Sequence, residues 1–283
     1  DNDGAPDTCD AACQALGMSA DIDDDNDGVS DTTEVLEGTD PLLNTDTPID
    51  LAIIPVTAWS SSNYSSRSPE NLINSTGLSA HEFIKYSTHG NDEYHMWRTG
   101  PVDGGLGGPV GKPPSQEGQE IVFDLAVTRE IDGFYIWNYN FAPSLIRGVS
   151  RFEILVSADA DPLTASFQSL GSDFSLDFAT GAADLTAATI SLATPVAEVR
   201  LIKFSNMSNN DDRYLGLSEI RVRLADTDGD RIINEVDNDD DNDGVLDVDD
   251  AYPSISTANH TDTDNDGAPD DCNNDCLAMG LAA

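Results

Sequence analysis

A twelve-residue pattern of carboxylates with one glycine recurs near both ends of the chain. Residues 23–34 read DDDNDGVSDTTE, so acidic side chains fall at positions 1, 3, 5, 9 and 12, and Gly28 falls at position 6. In such a loop the alternate side chains converge on one point, the position-7 carbonyl joins them, and glycine permits the sharp turn. Oxygen ligands in this number are typical of Ca²⁺ and are too many for octahedral Mg²⁺. The pattern therefore predicts loops that bind calcium.

The same frame fits 226–237, 239–250 and 262–273, and a shorter copy fits 1–10. The loop 226–237 departs from the pattern because Arg231 stands where glycine is expected, so it either holds a strained left-handed residue or turns differently. The ligands are expected to be side chains, except at position 7, where the backbone carbonyl binds. In the N-terminal copies they are Asp1, Asp3, Ala5, Asp7, Asp10, Asp23, Asp25, Asp27, Val29, Asp31 and Glu34. In the C-terminal copies they are Asp226, Asp228, Asp230, Ile232, Asn234, Asp237, Asp239, Asp241, Asp243, Val245, Asp247, Asp250, Asp262, Asp264, Asp266, Ala268, Asp270 and Asn273.

Charge is divided along the chain in the same way. The formal net charge is −40; residues 1–50 carry 15 acidic residues and no Lys or Arg, and residues 226–283 carry 18 acidic residues and only Arg231. Without metal these flanks are expected to repel themselves and stay extended, so Ca²⁺ binding would be coupled to their folding. The alternative is a pair of acidic disordered tails. The charge also opposes nucleic acid binding.

Four cysteines occur as two C-x-x-x-C pairs, Cys9 with Cys13 and Cys272 with Cys276. Zinc is the competing interpretation, but two thiols without a nearby His are too few ligands. We expect each pair to form a local disulfide, which favours an extracellular, oxidising compartment. The sequence contains no apolar run long enough for membrane insertion, and none is expected.

The acidic flanks, 1–47 and 226–283, resemble thrombospondin type 3 repeats in their bacterial form. The residues that carry the resemblance are DNDGAPDTCD (1–10), DIDDDNDGVSD (21–31), EGTDPLLNTD (37–46), DTDGDRIINEVDNDDDNDGVLDVDDAYP (226–253) and DTDNDGAPDDC (262–272). The resemblance implies a rod of calcium-wrapped loops with little regular secondary structure.

The two ends of the chain are similar to each other. Residues 1–20 and 264–283 align without a gap and are identical at 12 of 20 positions, including both cysteines. We interpret the chain as one unit of a longer tandem array, whose partners are neighbouring units or other copies. The alternative is that any two such repeats look alike. The first functional hypothesis is therefore a calcium-rigidified repeating unit of an extracellular structural fibre, stalk or adhesin.

The middle segment, 48–225, has the pattern of an all-β domain. Short stretches that alternate apolar and polar residues, separated by Gly, Pro, Asn and Ser, predict strands at 121–125, 133–138, 151–157, 167–170, 199–204 and 219–224. No long amphipathic helix pattern interrupts them. The expected core residues are Trp97, Phe123, Phe134, Ile136, Trp137, Phe152 and Phe204.

This segment resembles the discoidin, or coagulation-factor type C, domain and, within that fold, the carbohydrate-binding modules of bacterial secreted enzymes and adhesins. The matching residues are PENLINSTGLS (69–79), MWRTG (96–100), QEIVFDLAVTREIDGFYIWNYN (119–140), RGVSRFEILVS (147–157), FQSLGSDFSL (167–176), VRLIKFSN (199–206) and YLGLSEIRVRL (214–224). The resemblance implies an all-β, eight-stranded jelly-roll sandwich flanked by irregular calcium-stabilised segments. It also implies a structural calcium bound by the Leu72 carbonyl, Asn74, Ser79 and Glu219, although Asn74 stands where Asp is more common.

In these modules the ligand lies on loops at the calcium-bearing end, which here are 86–97, 139–147 and 206–214. They carry aromatic rings for stacking on sugar faces and Asn, His and Arg for binding hydroxyl groups. The candidate ligand-binding residues are His89, Tyr94, Tyr139, Arg147, Asn209, Arg213 and Tyr214. Structural alternatives stay open: Arg147 paired with Asp211 or Asp212, Tyr139 at the core edge, and His89 capping a turn. The second hypothesis is thus a carbohydrate-binding, lectin-like module displayed on calcium-binding spacers.

Catalysis has little support in the sequence. The four histidines form no H-E-x-x-H motif, no G-x-S-x-G occurs, and the middle segment holds no cysteine. We therefore expect a protein that is not an enzyme, with a paired-carboxylate glycosidase left open. Calcium is the cofactor that the sequence predicts.

Overall fold

The computed structural model describes residues 6, 9–44, 50–64, 66–81, 83–100, 119–209, 214–250 and 252–254. They form two compact units, one made of the described residues up to Asp50 with residues 80–84, and the other of the remaining described residues. The first unit contains helix α1 (Ala11–Ala15) and helix α2 (Asp31–Glu37). Helix α2 ends at Gly38, whose backbone is left-handed (φ +81°) and whose N–H donates to the Glu34 carbonyl, the geometry that favours glycine after a helix.

The second unit is built on eight antiparallel strands. Their bounds are β1 (Ala52–Ile53), β2 (Thr57–Ser60), β3 (Trp97–Arg98), β4 (Ile121–Asn138), β5 (Arg151–Ser157), β6 (Gln168–Ser175), β7 (Ala188–Ser208) and β8 (Gly216–Leu224). Four short 3₁₀ turns lie at Pro69–Leu72, Ile84–Tyr86, Glu93–His95 and Ala142–Arg147. In the described part of the chain no helix has the length and apolarity needed to cross a bilayer.

Strands β4 and β7 each contribute to both layers of a sandwich. The first part of β4 pairs with β2 and with the end of β7, where Phe123 lies opposite Ile202. The second part of β4 pairs with β8 and with the start of β7, where Phe134 lies opposite Ile190. The register shifts between these two parts, around Ala126, whose φ is +68°. Such bulges bend a strand, so one layer runs β2–β4–β7–β5–β6 and the other runs β7–β4–β8, with β1 and β3 beside β8. This confirms the predicted all-β jelly-roll sandwich.

The core lies between the two layers and is centred on Phe204. Its ring centroid is 5.4 Å from that of Phe123, 5.9 Å from that of Phe134 and 4.9 Å from that of Phe152. Edge-to-face and tilted rings at these distances pack favourably beyond the area that they bury. All seven core residues predicted from the sequence are buried.

The strands found differ from those predicted in two respects. The stretches 121–125 and 133–138 are one continuous strand, and β7 begins at Ala188 rather than at residue 199. The first part of β7 is half-exposed and rich in Ala and Thr, so it shows no clean alternation. Strands β1, β2 and β3 were not predicted. They have only two to four residues, which is too few to show the period of two that identifies a strand.

Candidate functional site

Three acidic loops, 23–34, 226–237 and 239–250, share one hydrogen-bond scaffold. In the first, Asp25 accepts from the amide of Asp27 at 3.1 Å, and Asp27 accepts from the amide of Val29 at 2.8 Å. The equivalent bonds recur in the other two loops. The position-9 side chain of every loop, Asp31 in the first, accepts from the amide at position 2 at 2.8–2.9 Å. In the loops 23–34 and 239–250, one oxygen of each carboxylate in the set Asp23, Asp25, Asp27, Asp239 and Asp241 shapes the loop, and the other is buried without a hydrogen-bond partner. In the loop 226–237 both oxygens of Asp226 and of Asp228 are already bonded.

In the first loop these remaining oxygens surround a common point. The carboxylate oxygens of Asp23, Asp25 and Asp27 lie within 4.8 Å of one another. Glu34, at position 12, is 0% exposed, and neither of its carboxylate oxygens has a hydrogen-bond partner. Burial, together with the charges of Asp25 and Asp27, raises the pKa of Glu34 to about 7. A buried carboxylate without a partner is unfavourable unless a cation or donor reaches it, so this donor set fits Ca²⁺.

The loop 239–250 has the same arrangement with aspartate at position 12. Asp239, Asp241 and Asp243 converge within 4.8 Å, and buried oxygens of Asp239, Asp241 and Asp250 have no hydrogen-bond partner. Burial raises the pKa of Asp241 to about 6 and raises that of Asp250. This loop therefore also fits a cation bound entirely by oxygen.

The loop 226–237 makes the same turn without glycine at position 6. Arg231 has φ +78°, in the left-handed region where Gly28 (φ +99°) and Gly244 (φ +95°) lie, so of the two predicted alternatives the strained residue is the one found. The carboxylate at position 12 has a different role from that of Glu34 in the first loop. Asp237 accepts from the amides of residues 238 and 239 at 2.7 and 3.1 Å and so shapes the following loop.

The loop 226–237 is joined to the sandwich near the bend of β4. Glu235 binds Arg129 at 2.6 Å and accepts from the amide of Glu130 at 3.0 Å. Glu130 in turn accepts, through its carbonyl, from the amide of Ala225 at 3.1 Å. Ile233 packs against the hydrophobic core. The loop is thus part of the same unit as the sandwich.

Several predicted site residues lie outside the described residues. They are Asp1, Asp3, Ala5, Asp7, Arg213, Asp262, Asp264, Asp266, Ala268, Asp270, Cys272, Asn273 and Cys276. Of the shorter loop, Asp10 is described, and its Oδ1 accepts from the amides of Ala12 and Cys13 at 2.9 Å, which caps helix α1. Cys9 and Cys13 form a disulfide.

An arginine contacts the carboxylate at the predicted calcium site of the sandwich. Glu219 and Arg221 are both buried, and the Arg221 guanidinium binds the Glu219 carboxylate and, at 2.6 Å, the Ser75 hydroxyl. Burial raises the pKa of Glu219 to about 7, and Arg221 opposes that rise. The guanidinium thus supplies one cation to buried Glu219, whose Oε2 stays buried without a hydrogen-bond partner, and calcium at this position stays a prediction.

The other residues predicted for that site serve local structure. The Asn74 side chain accepts from the amide of Thr76 at 2.8 Å, and the Ser79 hydroxyl accepts from the amide of Thr88 at 2.8 Å. Leu72 is buried in the hydrophobic core.

A guanidinium stacked between two tyrosines marks one end of the sandwich. The Cζ atom of Arg98, at the end of β3, lies 4.2 Å from the ring centroid of Tyr64 and 4.9 Å from that of Tyr214. Distances below about 6 Å are those of cation–π contacts. The backbone is fixed there, because Tyr64 donates to the Arg98 carbonyl at 2.9 Å and Arg98 pairs with Gly216 of β8.

The stacking continues on both sides. Arg67 lies 5.3 Å from the ring of Tyr64 and 4.3 Å from that of Tyr94, and Arg147 lies 4.9 Å from that of Tyr214. We call this row the tyrosine–arginine ladder; its members in order are Tyr94, Arg67, Tyr64, Arg98, Tyr214 and Arg147. Tyr94 is 61% exposed and Tyr64 is 37% exposed, whereas Arg67 and Arg98 are buried. The ladder thus presents aromatic surface backed by buried positive charge.

Three of the predicted ligand-binding residues, Tyr94, Arg147 and Tyr214, belong to the ladder. Asn209 supports it, because its side chain donates to the carbonyls of Arg147 and Tyr214 at 2.8 and 2.7 Å. Sequence reasoning missed Tyr64, Arg67 and Arg98. Their only signal was the combination of tyrosine and arginine in NYSSRS and MWRTG, segments that the fold brings together through β3.

His89 and Tyr139, both predicted as ligand-binding residues, are buried, and for Tyr139 this agrees with the core position that the sequence left open. Both are 0% exposed. The ring of His89 contacts the Gly90 carbonyl through Nδ1 at 2.8 Å, and burial lowers its pKa. The Tyr139 hydroxyl donates to Glu93 at 3.3 Å, and its ring packs against Gly216. These residues support the loops from inside and offer no face to a dissolved ligand.

No family model matches the chain, and no curated protein matches it. Solved carbohydrate-binding modules are similar to it. The family 32 module of AlyQ, in complex with 4,5-unsaturated mannuronic acid, is 16% identical, covers 62% of this chain and 98% of its own, and has a TM-score of 0.38. The family 32 module from C. perfringens NanJ, in complex with galactose, is 15% identical, covers 62% and 98%, and has a TM-score of 0.41. A pectin-binding module is 14% identical, covers 63% and 94%, and has a TM-score of 0.38.

Proposed function

We propose that this chain is an extracellular carbohydrate-binding module carried on loops that bind Ca²⁺. The observation that carries the proposal is the tyrosine–arginine ladder. A sugar ring has apolar C–H faces that stack on aromatic rings and hydroxyl groups that accept from fixed donors. Tyr94, at the end of the ladder, has Arg67 on one face and keeps 61% of its surface exposed. The disulfide between Cys9 and Cys13 supports an oxidising compartment.

The binding surface is rigid before the ligand arrives. Arg67 is held by Glu93 at 2.6 Å and by its contacts with Tyr64 and Tyr94. Asn209 fixes the backbone on either side of the Arg147–Tyr214 contact. Side chains that are ordered in advance lose little entropy when they bind, which favours affinity for a small ligand.

The test is a glycan array followed by calorimetric titration of the full chain with Ca²⁺ present. We expect binding to at least one saccharide, and we expect Tyr94→Ala to weaken it roughly tenfold or more, the usual effect of losing a stacking ring. Trp59→Ala is the matched control, because Trp59 is 43% exposed and lies outside the ladder. Absence of binding to any saccharide, or equal effects of the two variants, would contradict the proposal.

The Ca²⁺ part of the proposal rests on the loops 23–34 and 239–250. Their residues would hold the ion through buried carboxylate oxygens that have no other partner. The bound ion would neutralise charges that otherwise repel one another. Calorimetric titration of metal-free protein should show at least two ions among the described loops. No heat of binding on addition of Ca²⁺ would contradict this part alone.

The structural fibre or stalk predicted from the sequence stays a prediction. The scaffold shared by three acidic loops favours a stiff spacer, since an ion in each loop would fix its backbone. Analytical ultracentrifugation with and without Ca²⁺ tests it. Reversible assembly that requires the ion would support the fibre, and a monomer under both conditions would contradict it.

A further inference from the structure

Arg98 carries a positive charge that no carboxylate in the described residues balances. Its side chain is 7% exposed, its Nε atom is buried without a hydrogen-bond partner, and it forms no ion pair among the described residues. The other buried arginine of the ladder differs in this respect, because Arg67 binds Glu93 at 2.6 Å. An arginine without a carboxylate partner is unexpected in a chain with 53 acidic and 13 basic residues.

Two tyrosine rings stabilise this guanidinium only in part. Cation–π contacts with Tyr64 and Tyr214 attract the charge, but they supply no hydrogen-bond acceptor for its N–H groups. A buried charge without an opposite charge is unfavourable, so the site is incomplete as it stands. A planar guanidinium is best completed by a planar anion that accepts two parallel hydrogen bonds.

The described surroundings of Arg98 supply aromatic surface but no carboxylate. Gly216, its partner across the β3–β8 pairing, is covered by the buried ring of Tyr139, so a ligand would have to approach from the side of Tyr64. Glu93, a carboxylate beside the ladder, binds Arg67 and accepts from the Tyr139 hydroxyl at 3.3 Å, and it forms no ion pair with Arg98. The exposed ring of Tyr64 lies directly against the guanidinium. An acidic sugar would place its ring on tyrosine and its carboxylate on the arginine.

We propose that the ladder selects acidic saccharides, with Arg98 binding the carboxylate of a uronic acid residue. This inference rests on the proposed carbohydrate-binding function and adds the class of ligand. The shared chemistry is a sugar-borne anion, so a sulfated sugar is the other source of the same group. A charge-assisted pair at a desolvated site is expected to be worth roughly 10–100-fold in affinity.

The first experiment varies the ligand and leaves the protein unchanged. The full chain with Ca²⁺ is titrated calorimetrically with trimers of galacturonate, glucuronate and mannuronate and with the methyl ester of each. Esterification removes the charge and keeps the sugar ring, so at least one acid should bind roughly 10–100-fold more tightly than its ester. Equal binding of acid and ester in every pair would overturn the inference. A parallel titration with sulfated trisaccharides of neutral sugars shows whether sulfate replaces carboxylate, and tighter binding of sulfate than of every uronate would overturn the carboxylate assignment.

The second experiment removes the charge from the protein. Arg98→Gln should lose the preference for the acid and keep the weaker binding of the ester. Arg151→Gln is the matched control, because Arg151 is 70% exposed and makes only a surface ion pair with Asp173 at 3.3 Å; it should change neither affinity. An Arg98→Gln protein that keeps the acid preference would overturn the inference. If that variant does not fold, the acid-to-ester comparison on the natural chain still decides.

The experiments distinguish failure of the acid preference from failure of the carbohydrate-binding function. Binding of neutral saccharides with no acid preference would overturn the inference and leave the carbohydrate-binding function intact. Failure to bind any saccharide, acidic or neutral, would overturn both.

Discussion

Arg221 binds the carboxylate of Glu219 two residues earlier on β8, and neither side chain has more than 1% of its surface exposed. Residues two apart on a strand lie on the same face, so the pair forms within one strand. Breaking such a pair leaves one charge buried alone. We therefore expect Arg221→Met to lower the free energy of unfolding by about 3–5 kcal/mol, measured by urea denaturation.

The double variant Glu219→Gln with Arg221→Met is the control for this prediction. It removes both charges, so it should recover much of the lost stability. If the single variant loses less than about 1 kcal/mol, the pair does not have the structural role assigned to it.

Glu34 is expected to determine whether the first loop holds its ion. Both of its carboxylate oxygens are buried without a hydrogen-bond partner beside Asp25 and Asp27. Glu34→Gln should weaken one Ca²⁺ site roughly tenfold or more, because the position-12 carboxylate is the bidentate ligand of such loops. Glu37→Gln, in the same helix and with the same change of charge, should leave every site intact. Calorimetric titration of both variants checks this, and equal affinities would contradict it.

The stability of the metal-free protein should fall as the pH rises. The pKa values of Glu34 and Asp240 are raised to about 7 and that of Asp241 to about 6, above the ordinary 4.5 and 3.8 of the unfolded chain. Between these limits the folded state binds more protons than the unfolded state, so the free energy of unfolding decreases from about pH 4 to about pH 7. Scanning calorimetry in metal-free buffer measures this trend.

Calcium should reverse that pH dependence. The ion binds the deprotonated carboxylates, so its affinity should weaken as the pH falls through about 7.

In metal-free buffer, the free energy of unfolding of Glu34→Gln should depend less steeply on pH than that of the natural chain. A melting temperature of metal-free protein that rises from about pH 5 to about pH 7 would contradict the assignment.

Arg231 holds a left-handed conformation that glycine adopts in the other two loops. A non-glycine residue in this region is strained by about 1–2 kcal/mol, whereas glycine loses more entropy on folding, by about 0.5–1 kcal/mol. Arg231→Gly should therefore raise stability by up to about 1 kcal/mol, visible as a higher urea midpoint. Gly244→Arg, the reverse change in the neighbouring loop, should lower it.

Gly216 leaves space for the buried ring of Tyr139. A Cβ atom at this position would overlap that ring, which is fully buried and cannot move aside. Gly216→Ala should lower the free energy of unfolding by about 1–3 kcal/mol. Gly90→Ala is the matched control, since its Cβ would meet the Gly77 carbonyl oxygen at an ordinary 3.6 Å. Thermal melting of both variants checks the difference.

The acidic loops could be predicted from the sequence because their ligands are local. Spacing within twelve residues fixes which carboxylates converge, and the structure brings Asp23, Asp25 and Asp27 together without help from distant residues. The use of Asp10 and Asp237 to cap amides was not visible, because a carboxylate near a helix start or a following loop can serve either purpose.

The ladder could be predicted only in part because it depends on distant contacts. Tyr64, Arg98 and Tyr214 lie in three separate segments that β3 and β8 bring together. The sequence also indicated that buried Glu219 needs a cation, and calcium was the predicted one. The alternation of β8 places Arg221 on the same face as Glu219, so the arginine contact was also open to prediction.

The passage of β4 and β7 through both layers has a consequence for how the sandwich comes apart. Each layer shares two continuous backbones with the other, and Phe204 from one layer packs on Phe134 from the other. Loss of either layer would leave half of β4 and half of β7 without hydrogen-bonded neighbours and would expose the apolar face of the other layer. The sandwich is therefore expected to melt as one cooperative unit, without a state in which a single sheet survives.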